Sequence, residues 1–362
     1  MPGRKWGLAG SGLSLADRGL AARFFLHSAR FTFGREVERF EHEFARWLGV
    51  KHAVMVNSGA SANLLTMQAI QITRTHCEVL VPCVTWVSDI AAIMQAGLEP
   101  VFADIDPETL GIDWRAAERG ALAAVFPTHC LGFDSGTPEE QSFGTPLIED
   151  CCESLGATRD GRKLGAFGLM SNFSFYWSHH MTTIEGGMIC TDREDFDLIL
   201  RQLRNHGQSG QFVFEHPGYN MRPMEIQAVL GSSQLKRVGA NVKIRTRNLQ
   251  AFLSGLDQSR YRTKYPVEGS SNFALPLVLH DKSHRLMERV LGLLKRESVE
   301  YRRGLSGGGN QLRQPYAKRL WGNRYKDFPQ AEHVTDFGLY IGNHAELETD
   351  RIRRLCEKLN AL

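Results

Sequence analysis

Two adjacent histidines, His179 and His180, stand in the segment Phe173-Ser174-Phe175-Tyr176-Trp177-Ser178-His179-His180-Met181-Thr182-Thr183-Ile184-Glu185-Gly186-Gly187-Met188. An imidazole titrates near neutrality and can take or give a proton. Paired histidines, two threonines and a Glu-Gly-Gly turn are more than packing requires. A second pattern, Asn57-Ser58-Gly59-Ala60-Ser61, lies between an apolar run and a helical one. Backbone N–H groups at such a turn can hold a phosphate; the same turn also reads as a plain helix cap. A third, Leu147-Ile148-Glu149-Asp150-Cys151-Cys152-Glu153, ends a buried strand in two acids. An Asp there can hold a pyridinium N–H or cap the next helix. The fourth is Pro217-Gly218-Tyr219-Asn220-Met221-Arg222-Pro223, ahead of a helical run.

The elements that must position these residues alternate. Val37, Phe40, Phe44, Trp47 and Leu48 recur at helical spacing, and Gly49 stops that helix. Short apolar strands are expected at Ala53–Val56, Val79–Val81, Pro100–Ile105, Ala123–Phe126, Leu147–Glu149 and Met188–Thr191. Helices are expected through about Ile72, over Ser88–Ala96 and over Asp195–Asn205. The alternation predicts an α/β fold with a mostly parallel sheet covered on both faces. A long helix is expected over Met224–Gln250, its Lys and Arg residues from Lys236 to Arg247 forming a solvated face. Beyond it lie an apolar run at Ala274–Val278, an amphipathic one at Ser283–Arg296 and a flexible Ser306–Asn310 loop. A boundary near 245 divides a large domain, 1–245, from a smaller C-terminal α+β one, 246–362.

The whole chain sets limits on function. Its 362 residues carry 43 Lys plus Arg against 40 Asp plus Glu, so no global field draws it to nucleic acid or membrane. No run of about 18 apolar residues is present, and Met1–Ala16 lacks the apolar core of a secretory signal. The seven cysteines, with no CxxC pair, fit a reducing cytosol rather than a disulfide framework. No metal site is expected.

In this order the four segments resemble the sugar aminotransferases of the DegT/DnrJ/StrS type, fold type I pyridoxal-phosphate enzymes that act on nucleotide-linked keto-sugars. The resemblance runs from about Phe31 to the C-terminus. It implies an aspartate-aminotransferase-like fold, with Ser58, Gly59, Ala60, Ser61 and Ser174 around the cofactor phosphate and Trp86 stacked on the ring. Asp150 would hold the ring nitrogen, and Glu153 would lie near the ring oxygen, where relatives carry Gln or His. Asn220 would reach the phosphate of the neighbouring subunit, making a homodimer with shared active sites. His129, His180, Tyr219, Arg222, Arg302 and Asn310 would line the sugar or its diphosphate.

One departure sets the expected reaction. The aminotransferases place a Schiff-base lysine five residues after the phosphate-binding serine. Here that position is His179, and no Lys occurs from Leu164 through Leu235. An imidazole forms no stable Schiff base, but it can act as a base. The substitution is similar to the sugar 3-dehydratases of the family, which implies loss of the C3 hydroxyl from a 4-keto-6-deoxyhexose, GDP-4-keto-6-deoxymannose above all. Glutamate would first convert pyridoxal to pyridoxamine phosphate. His179 would then take the C4′ proton as water leaves. The alternatives are an aminotransferase using an unrecognised amine and a non-catalytic nucleotide-sugar-binding homologue. A histidine-bearing branch with a [2Fe–2S] cluster needs about four thiolates. No Cys lies between Cys190 and Cys356, so no cluster and no electron-transfer partner are expected.

Overall fold

A computed structural model describes residues 5–115, 117, 120–136 and 144–362; Met1–Arg4 of the N-terminal stretch lie outside it. Helix α1 (Leu15–His27) starts at a capping box between Ser14 and Asp17. Helix α2 (Arg35–Leu48) buries Val37, Phe40, Phe44 and Leu48, and ends at Gly49 with φ 94°. Strand β1 (His52–Val56) leads into α3 (Gly59–Thr73). Then come β2 (Glu78–Pro82), α4 (Val87–Gln95), β3 (Glu99–Ala103), β4 (Ala124–Val125) and β5 (Ile148–Asp150). A small hairpin, β6 (Thr158–Arg159) with β7 (Arg162–Lys163), precedes β8 (Met170–Ser174) and β9 (Gly187–Thr191).

These strands run in the order β1-β9-β8-β5 and β3-β2-β4. Parallel bridges Val125–Leu147 and Thr128–Asp150 join β4 to β5, so one sheet extends from β1 to β3. Only β9 runs against the rest. Near-continuous burial along β1, β2 and β9 is what a sheet covered on both faces demands. Glu41 of α2 pins this edge. It accepts from Met55 N–H at 2.8 Å and pairs with Arg204 at 2.5 Å and Arg201 at 2.8 Å. Both arginines lie on α5 (Glu194–Arg204).

A second hairpin, β10 (Gln208–Gly210) with β11 (Val213–Phe214), follows. The expected long helix is two, α6 (Glu225–Leu235) and α7 (Val238–Gly255), meeting at Lys236–Arg237. Arg245 of α7 also departs from the expected solvated face. It is buried, and its Nη1 donates to the carbonyls of Asn272, Phe273 and Asn343. That fastens α7 to the C-terminal sheet of β12 (Ala274–Val278), β13 (Tyr301–Arg303) and β14 (Gly338–Gly342), ordered β12-β14-β13. Helices α8 (His284–Arg296), α9 (Pro315–Trp321), α10 (Pro329–Phe337) and α11 (Thr349–Asn360) complete this part. Among the described residues no helix is long and apolar enough to cross a membrane.

Candidate functional site

The carboxyl ends of the sheet strands gather the chemistry. Ser58 caps α3, its Oγ accepting from Ser61 N–H at 3.1 Å and donating to Ser61 Oγ at 3.0 Å. The N–H groups of Gly59 and Ala60 open the helix and have no intrahelical acceptor. Ser174, at the end of β8, closes over them: a Cβ on Gly59 would lie 2.7 Å from its Cβ and 3.0 Å from its Oγ. Gly187 is needed beside them, because a Cβ there would meet the Ser58 carbonyl at 2.4 Å. Two free amides, a helix N-terminus and a hydroxyl make a cradle shaped for a phosphate ester.

Trp86 stands at the N-cap of α4 with 55% of its surface exposed, a free aromatic face. Asp150 ends β5 almost fully buried, its Oδ1 accepting from Cys152 N–H at 2.8 Å. Behind it lies a polar cluster for which the sequence carries no motif. Asp89 accepts from Asn63 Nδ2 at 2.6 Å and from the hydroxyls of Thr128, at 3.0 Å, and Thr85. Burial first, and the charge of Asp150 second, push its pKa well up. The only clue in sequence is an Asp among the apolar residues of α4.

His179 follows a turn in which its N–H donates to the Tyr176 carbonyl, and its ring sits 5.2 Å from that of Phe273. Burial, with the Arg245 cation second, pulls its pKa down to about 4. The imidazole is therefore neutral at neutral pH and has a lone pair to offer. Among the described residues its Nδ1 has no hydrogen-bond partner. His180 is more deeply buried. Its Nε2 donates to the Ser271 carbonyl at 2.9 Å, and burial followed by Arg245 holds its pKa well below the usual range. Both rings border a cavity of about 180 Å³, also lined by Gly12, Trp177, Arg245 and Glu346.

Glu153 accepts from Leu131 N–H at 2.7 Å and from Ser306 Oγ at 2.9 Å. Burial lifts its pKa to about 7. Ser306 belongs to the loop expected to be flexible, but that loop is packed. Gly307 is so close to the Thr85 carbonyl that a Cβ would lie 2.2 Å away, and Gln311 N–H donates to Cys83. The Asn310 side chain is buried, donating to the Tyr325 carbonyl and Glu332 while accepting from Leu312 N–H.

His129 is fully buried. Its Nδ1 accepts from Ser135 N–H at 3.2 Å, so its Nε2 carries the proton toward Glu149 at 3.3 Å. Glu149 also accepts from the N–H groups of Gly165, Phe167 and Gly168. With Cys151 these two form a compact trio, but the backbone donors already occupy Glu149, and burial pushes the Cys151 thiol up. The trio ties strands together.

Tyr219, Asn220 and Arg222 run along the end of α5. Tyr219 N–H donates to the Leu203 carbonyl, and Arg222 Nη1 donates to Asn205 at 2.8 Å. Asn220 is exposed. Arg302, exposed on β13, pairs with Glu300 at 3.2 Å.

Comparison with known proteins adds to this geometry. The pattern of the DegT/DnrJ/EryC1/StrS aminotransferase family matches residues 16–360. A GDP-4-keto-6-deoxy-D-mannose 3-dehydratase of Yersinia pseudotuberculosis is 31% identical over 92% of this chain and 93% of its own. A GDP-perosamine synthase of Caulobacter vibrioides is 36% identical over 59% of this chain and 60% of its own. A crystal structure of GDP-4-keto-6-deoxymannose-3-dehydratase with a trapped PLP-glutamate geminal diamine superposes at a TM-score of 0.86, with 30% identity, over 98% of this chain and 100% of that one.

Proposed function

The chain belongs to the DegT/DnrJ/EryC1/StrS aminotransferase family, and from that premise we propose that it is a pyridoxal/pyridoxamine phosphate-dependent 3-dehydratase of a nucleotide-linked 4-keto-6-deoxyhexose. GDP-4-keto-6-deoxy-D-mannose is the substrate to try first, with glutamate as amino donor. The observation that carries this reading is the imidazole of His179, five residues after Ser174 in a stretch without lysine.

The cradle fits the cofactor. The Gly59 and Ala60 amides and the Ser174 hydroxyl would hold its phosphate, Trp86 would offer a face to its ring, and Asp150 would accept from its ring nitrogen. Glu153 would lie near the ring oxygen. When bound, the cofactor supplies an electron sink that lets a C–H bond break and a group β to the imine leave. His179, neutral at neutral pH, would take that proton as the base. A histidine cannot hold the cofactor covalently or expel product by exchange of amines, so water must release a 3-deoxy ketosugar and ammonia. Tyr219, Arg222 and Arg302 offer donors to sugar and diphosphate. His129, His180 and Asn310, buried and bonded within the chain, position their neighbours. Residues 1–245 serve as the cofactor domain and 246–362 as the smaller one. Asn220, exposed on its own subunit, serves the partner's site in a homodimer.

Incubation with pyridoxal phosphate, glutamate and GDP-4-keto-6-deoxymannose tests this. A 3-deoxy ketosugar with ammonia is expected. A 4-amino sugar would instead favour the aminotransferase reading, which rests on the likeness to GDP-perosamine synthase. No turnover with any nucleotide sugar would mark a binding homologue.

A further inference from the structure

We propose that the cavity beside His179 and His180 is a binding site for a small carboxylate, held by the buried guanidinium of Arg245. The cavity measures about 180 Å³. Helix α7 lines it with Asn241 and Arg245, one turn apart on one face, and with its N-cap residue Arg237. Arg237 is already neutralised, pairing with Asp17 at 2.7 Å. Arg245 is not. Among the described residues it makes no ion pair, and burial pulls its pKa down to about 10 with no acid near enough to counter it. Glu346, in the same wall, accepts from the N–H and hydroxyl of Ser11 instead. A buried cation without a counter-ion is unfavourable, and a bound anion relieves that.

The unused edge of the guanidinium selects the ligand. Nη1 is taken by the carbonyls of Asn272, Phe273 and Asn343. Among the described residues Nε and Nη2 have no acceptor, while Arg245 lines the cavity and keeps 5% of its surface exposed. Those two parallel N–H groups match the two oxygens of a carboxylate. A second unmet group marks the same space. His180 is 4% exposed, its Nε2–H is committed to the Ser271 carbonyl, and among the described residues its Nδ1 lone pair has no partner. That lone pair can accept an N–H or O–H from the ligand or from a water beside it. His179 borders the same cavity, and burial first and Arg245 second lower its pKa, so the guanidinium lies close to it. A carboxylate on Arg245 is therefore next to the base of the proposed reaction, where the amino donor must also come. That link rests on the function proposed above; the site itself does not. Two sources fit the chemistry: the side-chain carboxylate of the amino donor, and a free carboxylate from solution.

Calorimetric titration of the purified protein with glutarate, a dicarboxylate with no amine to react, tests the site at constant ionic strength. Wild type should bind it saturably. Asn241 is only half-buried, so its substitution leaves the packing alone. Asn241→Asp places a carboxylate one turn before Arg245, the favourable order for such a pair, and should weaken glutarate binding about tenfold or more. Asn241→Ala, which adds no charge, should stay within about threefold of wild type. No saturable binding by wild type, or an Asp variant that binds no more weakly than the Ala variant, overturns the proposal. Competition decides the source. If glutarate competes with glutamate in the conversion of pyridoxal to pyridoxamine phosphate, and Asn241→Asp relieves that competition, the carboxylate is the donor's own. If glutarate binds without competing, the carboxylate is a free one. Failure of glutamate to convert the cofactor would instead defeat the functional reading, with the titration still deciding the site.

Discussion

Gly59 and Ser174, 115 positions apart in the chain, are packed so closely that the side chain of one requires the absence of a side chain on the other. The nearest approach of a Gly59 Cβ would be to the Ser174 Cβ, at 2.7 Å. Backbone at the end of β8 cannot retreat, because Ser174 is paired with Gly187 in the sheet. Gly59→Ala should therefore push the Ser174 hydroxyl off the α3 N-terminus. The expected result is pyridoxal phosphate affinity lower by about tenfold or more. Ser174→Ala should lose one hydrogen bond to a charged group, roughly 1.5–3 kcal/mol of binding. Titration of each variant, with its melting curve as a control for folding, checks both.

His179 gives a signed pH prediction. Its folded pKa is about 4, against 6.5 for the free side chain. Between those values the unfolded chain binds the proton and the folded one does not, so stability rises with pH across that window. The contribution is complete above pH 6.5 and is lost as pH falls toward 4. His179→Asn should flatten that part of a stability–pH curve. The same variant should abolish dehydration while leaving cofactor binding near wild type. His179→Lys should restore a borohydride-reducible link to the cofactor. Full activity in His179→Asn would remove the histidine from the chemistry.

Glu153 carries the opposite sign. Its folded pKa is raised from 4.5 to about 7, so here the folded state holds the extra proton. Stability falls as pH rises through that window, by up to roughly 3 kcal/mol for the full shift. Glu153→Gln keeps an acceptor for Leu131 N–H and can donate to Ser306 Oγ. It should be more stable than wild type at pH 8 and nearly equal at pH 4.5. Denaturant melts at the two values measure the difference.

Periodicity and spacing carried part of this architecture. The apolar i, i+3, i+4 positions of α2 and its glycine stop are local signals, and the structure returns them as Arg35–Leu48 and Gly49. The five-residue offset from Ser174 to His179 is likewise local. Contacts across the chain left no such mark. Nothing near Ser306 announces that it meets Glu153, or that Gly307 is pressed against the Thr85 carbonyl. A run of glycines reads as freedom until its neighbours are known. Asp89 looks like an ordinary first-turn acid of α4 until the fold buries it among Asn63, Thr85 and Thr128. Arg245 looks like one more solvated cation until three carbonyls surround it.

The exposed position of Asn220 leads to a test of shared active sites. Its backbone is held against the end of α5 through the bridge to Asn205, so the side chain's direction is set by its own subunit. In a symmetric dimer the same patch meets its counterpart. If each site takes His179 from one subunit and Asn220 from the other, the variants His179→Asn and Asn220→Ala should each be impaired alone. A hybrid dimer carrying one defect on each chain has one site with both groups intact and one with neither. Random mixing in equal amounts makes half the dimers hybrid, so about a quarter of wild-type activity should return. Mixing after mild dissociation and reassociation, followed by the ammonia assay, measures it. Activity that stays at the average of the two separate variants would place both groups of a site on one chain.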